Sequence, residues 1–205
     1  MSAEKSKTND KFSKYISVIL AVVIIFAICV LVYTNLVEKE PGNSDIVQPP
    51  LEEHEDNVLT LSVDSTSYNY SLNELMTFDS ISGKGLYINK VGKINGPNNY
   101  TGVSMVVLLD AVESIPYNYT IQAIASDGYS INYTMDEVKG KVLVYNETGV
   151  EIGTKNLTMI VAYKENGEFL NETTSGPLRI AFIDEQGQIT NSGMWLRSIV
   201  KIEIV

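Results

Sequence analysis

Four cations in this chain stand where an anion could be received. Lys84, Lys90 and Lys93 lie in a stretch between Asp79 and Asp110 that holds no acidic residue, interleaved with Gly83, Gly85, Gly92 and Gly96. Glycine allows close backbone approach, and backbone N–H groups with point charges together hold phosphates and carboxylates. Arg179 follows Pro177 at the start of a strand-like run, where it either faces a cleft or pairs with a surface acid. The lysine stretch has a plain alternative, a flexible hairpin with its lysines in water. These four residues are the candidate ligand-binding set, and the residues alone leave both readings of each open.

Composition closes off most other chemistry. The only cysteine, Cys29, lies in an apolar run, so no intrachain disulfide, Cys-x-x-Cys pair or cysteine zinc cluster can form. The only histidine is His54, set among Glu52, Glu53, Glu55 and Asp56 in a segment that reads as solvated linker rather than catalyst. Asp136-Glu137 and Asp184-Glu185 are adjacent carboxylates, but sequence neighbours point apart, and both pairs read as solvated turn or helix-start residues. Neither a catalytic residue nor a metal ligand is expected. The net charge of −10 over 205 residues argues against nucleic-acid binding, which needs a surplus of cations.

The elements that must carry the candidate set follow an apolar run. Tyr15 to Tyr33 reads YISVILAVVIIFAICVLVY, with no charge until Glu38, and at about 1.5 Å per residue it extends about 28 Å, close to a bilayer core. A cleavable signal peptide is the competing reading. The run is longer than a signal h-region and lacks a small-x-small site, so retention as an anchor over 15–37 is expected. Lys5, Lys7, Lys11 and Lys14 precede the span and Lys39 alone follows closely, which puts tail 1–14 in the cytoplasm and residues 38–205 outside. Residues 38–57 hold three prolines and seven acids and read as a stalk. The ectodomain 58–205 then carries the remaining chemistry.

Seven Asn-x-Ser/Thr sequons lie in it, at Asn69, Asn99, Asn118, Asn132, Asn146, Asn156 and Asn171. They fit a glycosylated exterior, or an Asn- and Thr-rich β surface. Val58–Val63 alternates as a half-buried strand, and Ser71-Leu-Asn-Glu74 is a capping box opening a short helix. A polar cap at 101–104 followed by MVVLLDAV reads as a second helix. Beyond it the pattern is mostly β: Tyr119–Ala125 and Tyr129–Tyr133 flank Asp127-Gly128, Met159–Tyr163 leads into Asn166-Gly167, and Leu178–Ile183 and Ile199–Val205 close the chain. Without βαβ alternation, an α+β domain rich in antiparallel or mixed sheet is expected. Trp195 and the twelve tyrosines fit core packing and strand faces, with an exposed stripe as the alternative for the Tyr of four sequons.

In order and spacing, four stretches resemble the molybdopterin-binding domain of the sulfite-oxidase-type oxidoreductases: Leu61 to Leu75, Tyr100-Thr-Gly-Val103 leading to Leu108-Leu109, Ser126-Asp-Gly-Tyr-Ser130, and Asn166-Gly-Glu followed by Gly176-Pro-Leu-Arg179. Trp195 before Ile199-Val-Lys-Ile-Glu203 matches in kind. The resemblance implies a mixed, β-rich, sulfite-oxidase-like pterin-binding fold, with molybdopterin as its cofactor and oxidoreductase chemistry. Two departures bear on that chemistry. Metal-holding members carry a cysteine thiolate before the Tyr-x-Gly-Val helix, where Gly83–Asn99 has none, and they often carry a His where this chain has Ser175.

The expectation is therefore a single-pass, extracytoplasmic protein whose ectodomain keeps the fold without the redox metal and binds a ligand or partner. An active molybdopterin enzyme with atypical ligation and a structural envelope glycoprotein are the alternatives. The expected partners are the membrane through 15–37 and an anionic small molecule or envelope protein.

Overall fold

Strand alternation decides most of this molecule. In Thr120–Ala125 every second residue is buried, and in Ser130–Thr134 Tyr133 turns inward while Asn132 and Thr134 face out. The computed structural model describes residues 57–113, 115–171, 173 and 176–205; the tail, the expected membrane span and all of the stalk before Asn57 lie outside them. Among the described residues no helix is long and apolar enough to cross a membrane.

The elements run β1 (Asn57–Val63), β2 (Thr66–Ser71), α1 (Leu72–Leu75), β3 (Ser80–Ile88), β4 (Ile94–Ser104), α2 (Met105–Asp110), β5 (Thr120–Ala125), β6 (Ser130–Thr134) and α3 (Met135–Val138). They continue through β7 (Lys141–Tyr145), β8 (Glu151–Asn156), β9 (Thr158–Glu165), β10 (Glu168–Phe169), β11 (Arg179–Ile183), β12 (Ile189–Asn191), a 3₁₀ turn (Ser192–Met194) and β13 (Ile199–Ile204). A five-stranded sheet has the order β2-β1-β13-β5-β6. A second, eight-stranded sheet runs β10-β9-β4-β3-β12-β7-β8, with β11 also on β9. Pairing is antiparallel except between β1 and β13 (Leu61 beside Ile202) and between β12 and β3 (Ile189 beside Leu86). The β-rich class read from sequence is the one observed.

The helices are short because each serves as a cap or corner. Ser71 and Glu74 form the expected capping box at α1, and Thr134 and Glu137 form another at α3. Asp136 and Glu137 thus lie in a helix first turn, as their sequence context indicates. At α2 the buried residues are Met105, Leu108 and Leu109. One hydrophobic core joins both sheets, with Leu61, Ile121 and Ile202 from the first and Val161, Ile180 and Phe182 from the second. Strand β11 is buried along its whole length, which places its first residue, Arg179, inside the protein.

The sequon tyrosines belong to this core. Tyr100 and Tyr133 are fully buried, while Tyr70 and Tyr119 are half-buried against the core. On β2, β4 and β6, period-two alternation turns each Tyr inward and leaves the flanking Asn and Ser or Thr on the other face. An exposed tyrosine stripe is not what forms.

Candidate functional site

Arg179 is a cation in an apolar interior, 3% exposed. Its surroundings come from three strands whose register brings polar groups to one point. Tyr100 on β4 lies directly opposite Glu165 on β9, so both side chains share a face, and Asn98, two residues earlier on β4, shares it too. Glu165 Oε1 accepts from Asn98 Nδ2 at 2.6 Å and from the Tyr100 hydroxyl at 2.9 Å. Glu165 Oε2 lies 3.4 Å from Arg179 Nη1, which also donates to the Tyr100 oxygen at 3.5 Å. Burial, opposed by the nearby guanidinium, pushes the Tyr100 hydroxyl up to about 12, so it stays a proton donor at neutral pH.

Two aromatic rings hold the guanidinium. Its central carbon is 5.1 Å from the Tyr100 ring centre and 5.2 Å from that of Trp195. Trp195 is oriented by its indole N–H, which donates to Thr190 Oγ1 at 2.7 Å, and that hydroxyl donates to the Leu86 carbonyl at 3.0 Å. Gly85 makes room for the ring, since a Cβ there would lie 2.6 Å from Trp195 and 3.0 Å from Tyr100. Tyr87, on the same face of β3, packs tilted against Trp195 with ring centres 5.0 Å apart.

One edge of the guanidinium stays unmet. Nη1 is used by Glu165 and Tyr100, whereas Nε and Nη2 are buried without a hydrogen-bond partner among the described residues. An unsatisfied buried donor costs about 1–3 kcal/mol, so evolution retains one only where something offsets it. Nε–H and one Nη2–H point the same way in one plane, the two-donor fork that matches the paired oxygens of a carboxylate or phosphate.

The three lysines do not join this cluster. Gly85 faces Trp195 and Tyr100, so Lys84, its neighbour on β3, faces the other side, beside Gly187. There its backbone pairs with Asp184, at 2.8 Å for N–H to carbonyl and 3.1 Å for the return bond. Lys90 and Lys93 are exposed at the β3–β4 turn, which Asn89 organises by accepting from Val91 N at 3.0 Å and Lys93 N at 2.9 Å. Asp184 and Glu185 line a separate open cleft of about 330 Å³ with Lys155, Asn156, Gln186 and Gln188. Glu165, Asn98 and the role of Tyr100 were missed in sequence. The available signal was Glu165 beside the Asn166-Gly167 turn, but its partners depend on cross-strand register.

The residues present do not fit a thiolate-bound molybdenum. No cysteine follows Cys29, and the described residues hold no group of three or more His, Cys, Asp or Glu side chains able to share a metal. Among the described residues the one buried cation, Arg179, already has a carboxylate beside it.

No family model matches the chain, and no curated protein matches it. Among solved structures it is similar to the sulfane dehydrogenase SoxCD from Paracoccus pantotrophus, with a TM-score of 0.53 at 14% identity over 74% of this chain. The likeness covers 39% of that protein's chain and is one of fold. It supports a shared β-rich domain fold for the described residues.

Proposed function

We propose that this is a single-pass membrane protein, anchored through 15–37 with its N-terminus in the cytoplasm, whose extracytoplasmic domain is a non-catalytic binding module. Its sulfite-oxidase-like fold holds a ligand at Arg179 instead of supporting redox turnover. The observation that carries this reading is the guanidinium edge of Arg179, buried with two nitrogens unmet between Tyr100 and Trp195. An oxyanion placed on that edge would satisfy both nitrogens and gain charge-assisted hydrogen bonds. Lys84, Lys90 and Lys93 remain candidates for a second, surface contact with an envelope partner.

The test is elemental and pterin analysis of the full chain purified from its native host. The expected result is molybdenum well below one per chain and no turnover of sulfite or sulfoxide. About one molybdenum per chain would overturn the non-catalytic reading and favour an enzyme with oxygen or nitrogen ligation. Topology has its own test: protease added to intact cells should cut between Pro41 and Asn57, whereas protection until the membrane is broken would reverse the orientation.

N-glycosylation belongs to the same proposal. Six of the seven sequon asparagines are exposed, and Asn146 is half-buried with its Oδ1 engaged by Thr148 and Val150. Strand alternation by itself also produces Asn-Tyr-Thr, so the intact mass of the native protein decides. Added glycan mass supports the proposal, and the mass of the bare chain removes it.

A further inference from the structure

Resting on the proposal that the exterior is N-glycosylated, we infer that the folded chain takes its glycans at Asn146 and Asn171, where the sequon closes a turn on its own threonine, and stays bare at the other five sequons. Asn146 Oδ1 accepts from Thr148 N at 3.0 Å, from Thr148 Oγ1 at 2.7 Å and from Val150 N at 2.9 Å. Asn171 Oδ1 accepts from Thr173 N at 2.8 Å and from Thr173 Oγ1 at 2.6 Å. Backbone N–H donors fix which end of each amide is the oxygen, so Nδ2, the atom that takes the sugar, is the end these turn bonds do not use. Nδ2 is a poor nucleophile because its lone pair is shared with the carbonyl. As it gives up a proton, negative charge develops on Oδ1, where two donors of the turn are already aimed and need no reorganisation. The co-substrate is a lipid-linked sugar phosphate: the bond from Nδ2 to the anomeric carbon forms, that carbon's bond to the phosphate oxygen breaks with its electron pair leaving on the phosphate, and the Nδ2 proton passes to a base of the transferase.

The remaining sequons are held differently. Asn69, Asn99, Asn132 and Asn156 lie in β2, β4, β6 and β8. In a strand the hydroxyl-bearing residue two places on is held about 6.6 Å away along the chain, and the backbone is tied into the sheet. Three of those hydroxyls are engaged elsewhere: Ser71 Oγ donates to Glu74 at 2.9 Å, Thr134 Oγ1 donates to Glu137 at 2.8 Å, and Thr101 Oγ1 pairs with Ser82 Oγ at 2.7 Å. Asn118 separates the turn from mere exposure. It is exposed and outside any strand, yet its Thr120 opens β5, with its N–H on the Val205 carbonyl at 2.8 Å. The β3–β4 turn supplies a control, because Asn89 repeats the Asn146 turn without a hydroxyl. Asn89 Oδ1 accepts from Val91 N at 3.0 Å and from Lys93 N at 2.9 Å. Gly92 N donates to the Asn89 carbonyl at 2.9 Å, as Gly149 N does to that of Asn146 at 3.0 Å, and both glycines have φ +79°. Val91, at the threonine's place, is 86% exposed, so Val91→Thr completes a sequon in the same turn without disturbing the core.

The test is peptide mass mapping of the full chain, wild type and Val91→Thr, each purified from the native host. Wild type should show added glycan mass on the Asn146 and Asn171 peptides and bare mass on the peptides of Asn69, Asn99, Asn118, Asn132 and Asn156. Val91→Thr should gain glycan mass on the Asn89 peptide. Glycan at Asn118 or at a strand sequon overturns the inference while glycosylation itself stands. So does a bare Asn146 or Asn171 in a chain that carries glycan elsewhere, or no gain at Asn89 in the variant. Bare mass on every sequon peptide overturns glycosylation and the inference together. If Val91→Thr does not fold, as judged by Trp195 emission, the wild-type map decides alone.

Discussion

Arg179 and the three lysines of the β3–β4 hairpin look alike on paper, as cations near glycines in an acidic ectodomain, and the fold gives them opposite surroundings. Arg179 opens a fully buried strand, stacked on two rings and facing one carboxylate. Lys84, Lys90 and Lys93 are in water. The difference teaches that a charge does work where its hydration has been removed. An exposed lysine loses little by having no partner, whereas a buried guanidinium has to find every donor an acceptor. Interest in this domain therefore centres on Arg179.

The largest effect that would sharpen this contrast is on stability. Arg179→Ala should cost about 3–5 kcal/mol, because it leaves Glu165 without its counter-charge and empties the space between Tyr100 and Trp195. The check is urea unfolding followed by the fluorescence of Trp195, the only tryptophan. A loss below about 1 kcal/mol would break the contrast. Next is a pair of glycines in the same hairpin. Gly85→Ala should cost about 1–3 kcal/mol through collision with the Trp195 ring and should shift its emission. Gly92→Ala, at φ +79° but in open space, should cost only about 1 kcal/mol and leave the emission alone. Equal effects at the two sites would contradict the packing described here.

A smaller effect concerns alkaline pH. The Tyr100 hydroxyl is raised from 10.0 to about 12 by burial, so the folded state holds that proton more tightly than the unfolded chain. Its contribution to stability is complete below pH 10 and is lost as pH rises through about 12. Tyr100→Phe should flatten that part of a stability–pH curve, although Tyr133, also raised by burial, leaves some slope. The smallest effect is at the lysines: Lys84→Ala, Lys90→Ala and Lys93→Ala should each stay within about 0.5 kcal/mol in the same unfolding assay. A larger loss from any of them would show a partner on the exposed side.

Local signals were legible in the sequence, and cross-strand ones were not. The Ser71–Glu74 capping box, the Asp127-Gly128 and Asn166-Gly167 turns, and the strands at 58–63, 178–183 and 199–205 are set by neighbours in the chain, and they form. Strands β3 and β4 were obscured by their glycines. Gly83 and Gly102 sit inside strands because neighbouring backbone passes close: a Cβ at Gly83 would lie 2.9 Å from the Asp184 carbonyl, and one at Gly102 would lie 2.1 Å from that of Val161. The glycines thus serve strand packing and the Trp195 ring, a use that glycine in a sequence shows no differently from anion binding. Strand β8 shows no alternation because all of it is exposed. Glu165 came into the site only through its register opposite Tyr100, a pairing that no spacing along the chain encodes.

The central claim, that the unmet edge of Arg179 is where this domain takes its ligand, is tested most directly by an experimental structure of the chain purified from its native host. The account predicts two ligand oxygens in the guanidinium plane, about 2.7–2.9 Å from Nε and Nη2, with Glu165 still facing Nη1. Nε and Nη2 satisfied instead by oxygens of the chain's own backbone or side chains would contradict it.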